Sequence, residues 1–266
     1  MRIFYNTTIR PELMRMERVR RRTLIGIGLS ILGLIIVGII FVAINAGFVV
    51  LIAAAPIVFY LGTLYFRIEK FRQKFKPAVV SLVLEFMNLA TNFQELTYDA
   101  KKMVAKDRFL RSELFVGRSA SYAGEDYIKG IVGEMPFELS EIYVQEVSKA
   151  SNRLELIFGG IFIHALFNEP TVGHLAVWPR SEYRYLRRTL KEFIYRGGFD
   201  AEKEIQNPRF RELFVVYAKK DTVVHHILTE PMQESLVEFV DQTGHELYFS
   251  IHDKDVFAGI SHDRDL

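Results

Sequence analysis

The stretch from Thr23 to Phe66, TLIGIGLSILGLIIVGIIFVAINAGFVVLIAAAPIVFYLGTLYF, decides the architecture of this chain, because it contains no Asp, Glu, Lys, Arg or His in 44 residues. One helix of that length would be about 66 Å long, roughly twice the ~30 Å hydrocarbon core of a bilayer. Two spans joined by a turn fit better, and Asn45-Ala46-Gly47 is the turn-like tripeptide near the middle. The sequence therefore predicts transmembrane helices at about residues 23–44 and 48–66.

Charges beside this apolar stretch predict its orientation. Residues 1–22 carry a net charge of +5 and residues 67–80 a net charge of +4, whereas the predicted turn carries none. Because positively charged flanks stay in the cytoplasm, both termini are expected inside and the turn outside. The remaining residues, 81–266, carry a net charge of −7. The overall charge of +2 is therefore an effect of the membrane flanks, and we expect no nucleic-acid partner.

Small residues in the first predicted span suggest close helix packing. Gly26, Ser30 and Gly33 fall on one helical face, a pattern that lets two helices approach closely. The first span could pack on the second within the hairpin, or one chain could associate with another. The spans carry no ionisable residue, so we expect neither a channel nor a transporter.

The segment that follows is expected to continue as a juxtamembrane helix over residues 67–95. Pro77 suits the first turn of a new or kinked helix. Residues 78–93 are apolar on nearly every side and carry one charge, which predicts burial in the domain core or in an oligomer interface. A helical pattern extends over residues 97–115.

Residues 96–266 predict a cytosolic α+β domain with an antiparallel sheet and packed helices. Strands are expected in a hairpin over 126–147, in the segment 154–167 with a bulge or bend at Gly159-Gly160, in 175–178 and 213–218, and in a final hairpin over 246–260. Helices are expected at 181–195 and 229–242. The sequence shows no linker that would divide this domain.

Motifs of known chemistry are missing from the sequence. The chain has no cysteine, no phosphate-binding or dinucleotide-binding glycine motif and no GxSxG elbow. We therefore expect no cofactor and no metal, and the sequence leans away from an enzyme without deciding the question. We interpret the carboxylate pairs Glu125-Asp126, Glu138/Glu141 and Asp253/Asp255 as turn caps and surface charge. His164 and His174 are interpreted as structural or exposed, and the adjacent His225-His226 as pointing to opposite faces of a strand.

One charge pattern stands out in the helix predicted over 181–195. Arg184, Arg187, Arg188 and Lys191 lie on the side opposite its apolar face. Three interpretations remain open: a solvated surface, contact with anionic lipid headgroups, or contact with nucleic acid. Proximity to the membrane favours lipid over nucleic acid, since each basic residue near an anionic surface contributes about 1 kcal/mol.

The soluble part resembles a bacterial family known as domain of unknown function 3137, over roughly residues 95–260. The resemblance is carried by these stretches: Leu96-Thr97-Tyr98, Ser112-Glu113-Leu114-Phe115, Asp126-Tyr127, Gly130, Gly133, Phe137, Ser140-Glu141, Phe158-Gly159-Gly160, Phe162, Phe167-Asn168, Asn207-Pro208-Arg209-Phe210, Phe214-Val215-Val216-Tyr217, Ile227-Leu228-Thr229 and Met232. The family pattern leads us to expect an acidic residue at Asn207. The resemblance implies a protein of the bacterial inner membrane and supplies no activity or catalytic residue.

These observations favour a membrane-anchored structural or interaction module that self-associates or recruits a membrane-protein partner. The alternatives are a membrane-tethered sensor or enzyme for a lipid or small molecule, with a pocket near Gly159-Gly160, or lipid binding through the basic helix at 180–196.

Overall fold

The computed structural model of the chain describes residues 10–44, 47–89, 92–115, 119–148 and 152–261. The chain divides into two compact units, Met1–Met87 and Asn88–Leu266.

The first unit consists of two long helices, α1 (Arg10–Ile44) and α2 (Gly47–Leu89). Within α1, the 23 residues Glu17–Ile39 have a mean hydropathy of 2.2, and only 6% of the apolar window is buried. This helix is long and apolar enough to cross a membrane. The predicted second span at 48–66 lies within α2 and stays a prediction, and Asn45 and Ala46 of the predicted turn lie outside the described residues.

The helix α2 differs from the expectation in two ways. It continues through Pro77, which rules out a new helix there and leaves the predicted kink untested, and it ends at Leu89 rather than near residue 95. Its C-terminal part is also exposed in the chain alone: Leu84 is buried, but Leu89 is 71% exposed. Both expectations for residues 78–93, a domain core or an oligomer interface, stay predictions.

The second unit is built on a sheet of nine strands, which confirms the α+β class with an antiparallel sheet. The strands are β1 (Phe93–Asp99), β2 (Ser119–Val132), β3 (Met135–Val147), β4 (Leu154–Leu166), β5 (His174–Pro179), β6 (Gly198–Asp200), β7 (Phe214–Lys219), β8 (Leu247–His252) and β9 (Asp255–Ser261). Their order across the sheet is β1-β2-β3-β4-β9-β8-β5-β7-β6, and each neighbouring pair is antiparallel.

Within the described residues, five α-helices accompany the sheet: α3 (Lys106–Arg111), α4 (Tyr183–Tyr195), α5 (Pro208–Leu213), α6 (Val224–Ile227) and α7 (Glu230–Thr243). The predicted helices at 181–195 and 229–242 correspond to α4 and α7. Asn207, where the family pattern suggested an acid, caps α5: its side chain accepts a hydrogen bond from the backbone N–H of Phe210 at 3.0 Å. Asn and Asp cap helices equally well, so the substitution keeps the local structure.

The domain core lies on both faces of the sheet. Strand β5 shows why, since all six of its residues are buried. Ala176 and Trp178 contact one apolar cluster, which includes the inner face of α4, while Leu175 and Val177 contact a second cluster, which includes α5 and α7. Successive strand residues point to opposite faces, so a central strand covered on both sides must be apolar throughout.

The hairpins β2–β3 and β8–β9 agree with the sequence patterns. Two other predictions, a helix over 97–115 and a bulge at Gly159-Gly160, do not. The predicted helix over 97–115 is wrong: Phe93–Asp99 pairs with β2, and only the short helix α3 follows. The bulge at Gly159-Gly160 is wrong, because both glycines continue the pairing with β3 and the register instead shifts between Val144 and Gln145; the alternative of a bend there stays a prediction. Tertiary pairing overrides local helical propensity in the first case.

Candidate functional site

A cavity of about 360 Å³ opens beside β1–β4 and α3, in the second unit. Its floor follows the sheet register, since Lys129 of β2 pairs with Glu138 of β3, and Glu138 pairs with His164 of β4. Side chains at directly opposed positions lie on the same face of a sheet, so three polar groups stand in a row across three strands. Helix α3 adds Arg108 to the cavity wall.

Glu138 is at the centre of this polar row. It is 8% exposed. One carboxylate oxygen, Oε2, accepts a hydrogen bond from the Tyr127 hydroxyl at 2.6 Å. The other, Oε1, is ion-paired with Arg108 and lies 3.0 Å from Nδ1 of His164. A buried carboxylate needs this number of partners, because an unpaired buried charge costs several kcal/mol.

His164 connects Glu138 to a second carboxylate. Its Nε2 lies 2.6 Å from Asp255 Oδ1 and its Nδ1 lies 3.2 Å from Arg108 Nη1, while its ring stacks on Phe257. With the proton on Nε2, the neutral ring donates to Asp255 and accepts from Arg108. Burial is the main cause that lowers the pKa of His164, with Arg108 and Arg111 lowering it further and Asp255 opposing them.

We call Tyr127, Glu138, His164 and Arg108 the polar cluster. Both oxygens of Glu138 and Nδ1 of His164 already have partners within it, and Nε2 of His164 is partnered by Asp255. Neither group is therefore free to act as a general base toward a ligand. The effect of the arrangement is to hold the Arg108 guanidinium, whose side chain is 41% exposed, at a fixed place in the cavity wall.

A second buried histidine, His174, lies at the start of β5 in a different environment. It is 3% exposed, and neither ring nitrogen has a hydrogen-bond partner. The ring stacks on His252 and meets the edge of Phe193. Burial, followed by the charge of Lys219, lowers its pKa to about 3.

Glu113 lies beside His174. Lys219 Nζ donates to Glu113 Oε2 at 2.7 Å, and Arg196 Nη1 is 3.5 Å from the other carboxylate oxygen. Burial acts to raise the pKa of Glu113, but the hydrogen bond from Lys219 and the nearby positive charges together lower it. Glu113 and Lys219 thus form an ion pair beside the neutral imidazole of His174. We assign this group a role in the stability of the domain.

Three carboxylates that we interpreted as surface charge come together on β2 and β3. Within the described residues, the ligand atoms of Glu125, Asp126 and Glu141 lie within 4.8 Å of one another, close enough to hold a cation. The hydroxyls of Tyr98 and Tyr143 donate to Asp126 and Glu141, each at 2.5 Å. These bonds explain how the carboxylates can be close to one another, and nothing else in the arrangement points to a metal.

The residues singled out for lipid contact lie on α4. Arg184, Arg187, Arg188 and Lys191 are all exposed. Arg188 forms an ion pair with Glu146 at 3.0 Å. The other three make no ion pair within the part of the chain that the structure describes, so the helix presents free positive charge.

The small residues of the first predicted span lie against α2 within the first unit. A Cβ added to Gly26 would be 3.3 Å from the side chain of Leu64, and one added to Gly33 would be 3.6 Å from Ile57. Ser30 is buried and its hydroxyl donates to the carbonyl of Gly26 at 2.8 Å. This face therefore permits close packing of the two helices of one chain.

The polar cluster escaped the sequence interpretation, although a signal for it exists. Glu138 has the same strand parity as the buried Ile142 and Val144, and His164 has the same parity as the buried Phe162. A charged or polar residue at an inward position of an apolar strand needs a buried partner. His225-His226 was wrongly placed in a strand; the pair lies in α6 with ring centroids 4.5 Å apart.

Comparison with known proteins supports the family resemblance. Residues 156–266 match the family described as "Protein of unknown function (DUF3137)". No curated protein matches the chain. The crystal structure of the mycobacterial trehalose monomycolate transport factor A, TtfA, is similar with a TM-score of 0.31 and 9% sequence identity, over 62% of this chain and 74% of that chain. A likeness at this level carries no conclusion about function.

Proposed function

We propose that this chain is a membrane-anchored binding module whose α+β domain holds a small ligand in the cavity at the polar cluster. The observation that carries the proposal is the coincidence of a cavity of about 360 Å³ with the buried Glu138–His164 pair and Arg108 in its wall. Ligand sites are concave, with apolar walls and a few convergent polar groups, and they usually measure about 300–1,000 Å³. The cavity lies beside Glu138 and His164, rather than at Gly159-Gly160 as the sequence suggested.

The proposed anchor is a two-span hairpin, with both termini in the cytoplasm of a bacterial inner membrane. Three observations support it: the apolar helix Glu17–Ile39, the basic flanks and the family resemblance. Self-association and recruitment of a membrane-protein partner remain part of this proposal, since a binding module commonly reports to another protein.

Native mass spectrometry of the full-length protein, released from membranes in mild detergent, tests the proposal. We expect the wild-type protein to retain a small molecule that Leu166→Trp loses, because Leu166 lines the cavity and tryptophan would fill it. The exposed apolar residue Val172, outside the cavity, supplies a matched control, and Val172→Trp should retain the ligand. Wild-type protein without any ligand, in repeated preparations and after incubation with a small-molecule library, would overturn the proposal.

A second candidate function is contact between α4 and anionic lipid headgroups. Besides its free basic residues, α4 exposes two aromatic side chains, Tyr185 at 72% and Tyr195 at 87%. Basic and aromatic residues together on one helix suit a membrane interface. We propose that Arg184, Arg187 and Lys191 make this contact.

Hydrogen exchange of the full-length protein in nanodiscs tests the lipid contact. We expect residues 183–195 to exchange more slowly in discs with phosphatidylglycerol than in discs of phosphatidylcholine alone, and the triple variant Arg184→Gln, Arg187→Gln, Lys191→Gln to remove the difference. Exposed Lys203 and Lys220 lie outside α4 and supply the control double variant. Equal exchange in both lipids would contradict the contact.

A further inference from the structure

We propose that the cavity binds an organic oxyanion, a carboxylate or phosphate that carries a small apolar group. This inference rests on the proposed function, since it names the class of ligand for the same cavity. It follows from comparing the hydrogen-bonding groups that the protein has already used with those that remain.

The negative group in the cavity floor is already neutralised by the protein. Glu138 receives the Tyr127 hydroxyl on one oxygen and Arg108 on the other, and it also contacts His164. Each oxygen of Glu138 therefore already has a partner, and a cationic ligand would have to compete with Arg108 in a buried ion pair. His164 is occupied at both nitrogens and offers neither a donor nor an acceptor to a ligand.

The donors that remain are positive. Arg108 uses Nη1 toward Glu138 and His164, and its Nε and Nη2 have no partner among the described residues. Lys129 lies next to Glu138 in the register, is exposed, and likewise makes no ion pair with any described residue. A guanidinium and an ammonium that converge on one cavity suit an oxyanion, because the guanidinium fork matches carboxylate and phosphate geometry.

The other walls require an apolar group. Ile131, Phe137 and Leu166 line the cavity, and the sheet register places Ile131 of β2 opposite Pro136 of β3. Glu95 also lines the cavity and is acidic, but it is exposed. It lies on β1, at the other end of the four-strand row β1–β4 from His164 on β4. A ligand with an oxyanion at Lys129 and Arg108 and a short hydrocarbon against these walls would satisfy both chemistries.

Calorimetric titration of the full-length protein in phosphatidylcholine nanodiscs tests the ligand class, with hexyl phosphate and hexanoate as probes. We expect saturable binding of either anion, and much weaker binding of hexanol, hexylamine and inorganic phosphate. Lys129→Gln should weaken the binding of hexyl phosphate about tenfold, which corresponds to the loss of about 1.4 kcal/mol. Lys101→Gln, at an exposed lysine outside the cavity, should leave it unchanged.

The source of the oxyanion is distinguished by repeating the titration in phosphatidylglycerol discs. Competition there, seen as an apparent loss of hexyl phosphate affinity, assigns the site to a lipid phosphate, whereas equal affinity assigns it to a soluble anion. Both results are consistent with an oxyanion as the ligand class and differ only in its source.

Three outcomes would overturn the inference in distinguishable ways. If hexanol or hexylamine binds as well as the anions and Leu166→Trp abolishes that binding, the oxyanion is wrong but the cavity remains a binding site. If Lys129→Gln binds hexyl phosphate as tightly as the wild type, Lys129 plays no part and the site formed by Lys129 and Arg108 together is wrong. If no probe binds, the ligand class fails, and the retention experiment above decides whether the proposed function fails with it.

Discussion

His164 and His174 are equally buried in one sheet and have opposite chemical surroundings. His164 has a hydrogen-bond partner at each ring nitrogen and lines a cavity. Among the described residues, neither ring nitrogen of His174 has a hydrogen-bond partner: Nδ1 lies 3.7 Å from Glu113, and the ring packs between Phe193 and His252. The comparison teaches that burial alone does not mark a functional histidine. What distinguishes the two is the connection to charged groups that reach a cavity.

The largest expected effect comes from breaking the polar cluster around His164. Glu138→Gln removes the charge that pairs with Arg108, and we expect a loss of about 3 kcal/mol in the free energy of unfolding, because the partly buried guanidinium is left without its anion. Denaturant unfolding followed by the fluorescence of Trp178, the single tryptophan, measures it. Glu141→Gln, three residues along the same strand, should change the value by about 0.5 kcal/mol or less. Equal losses in the two variants would remove the distinction between the cluster and an ordinary surface carboxylate.

The next effect concerns the pH dependence that His174 imposes. Its pKa of about 3 in the folded state lies below the ordinary value of 6.5, so the unfolded state binds the extra proton first. Stability is therefore full above about pH 6.5 and falls as the pH decreases toward 3, by about 2 kcal/mol between pH 6.5 and 5. The charged and titratable groups that face the ring are Glu113, Lys219 and His252: Lys219 and His252 lower the pKa of His174 further, and Glu113 opposes them.

His174→Phe should flatten this dependence, since phenylalanine keeps the aromatic packing and cannot be protonated. The free energy of unfolding, measured from pH 7 to pH 5, reports the change. His226→Phe, at an exposed histidine of α6, is the matched control and should keep the wild-type slope. An unchanged slope in His174→Phe would show that another group dominates the acid response.

The smallest expected effect is a difference in unfolding free energy between two variants, each of which removes one tyrosine–glutamate hydrogen bond of β2 and β3. Tyr127→Phe removes the bond to the buried Glu138 and should cost about 1 kcal/mol in unfolding free energy. Tyr143→Phe removes the bond to the partly exposed Glu141 and should cost less, since water replaces the lost donor. The same denaturant experiment ranks the two variants, and a reversed order would contradict the burial argument.

Local patterns in the sequence predicted much of the sheet and none of the polar cluster. The alternation along β3 and β4 and the turn between β8 and β9 depend on neighbouring residues, so they are visible in sequence. The contact of His164 with Glu138 joins residues 26 apart, and its contact with Asp255 joins residues 91 apart. These contacts depend on strand register and on the insertion of β9 beside β4, which no local pattern encodes.

The helix predicted over residues 97–115 failed for a related reason. Its apolar spacing is compatible with a helix, but Leu96 is buried and its backbone N–H donates to the side chain of Asn88 at 3.0 Å, while Thr97–Asp99 pair with β2. Partners distant in sequence decide the conformation of such a segment. The basic face of α4, by contrast, follows from one helix alone and was visible in the sequence.

Nitrogen-15 NMR of the histidine side chains in the full-length protein, with and without hexyl phosphate, tests the central claim most directly. We predict that His164 is a neutral ring with its proton on Nε2 and that its signals shift on addition of the anion, because the anion pairs with the Arg108 guanidinium that donates to Nδ1 of His164. His174 should stay neutral above pH 5 and should not respond to the anion. Equal responses of both rings, or a response of His174 alone, would contradict the account of His164 as part of the binding site.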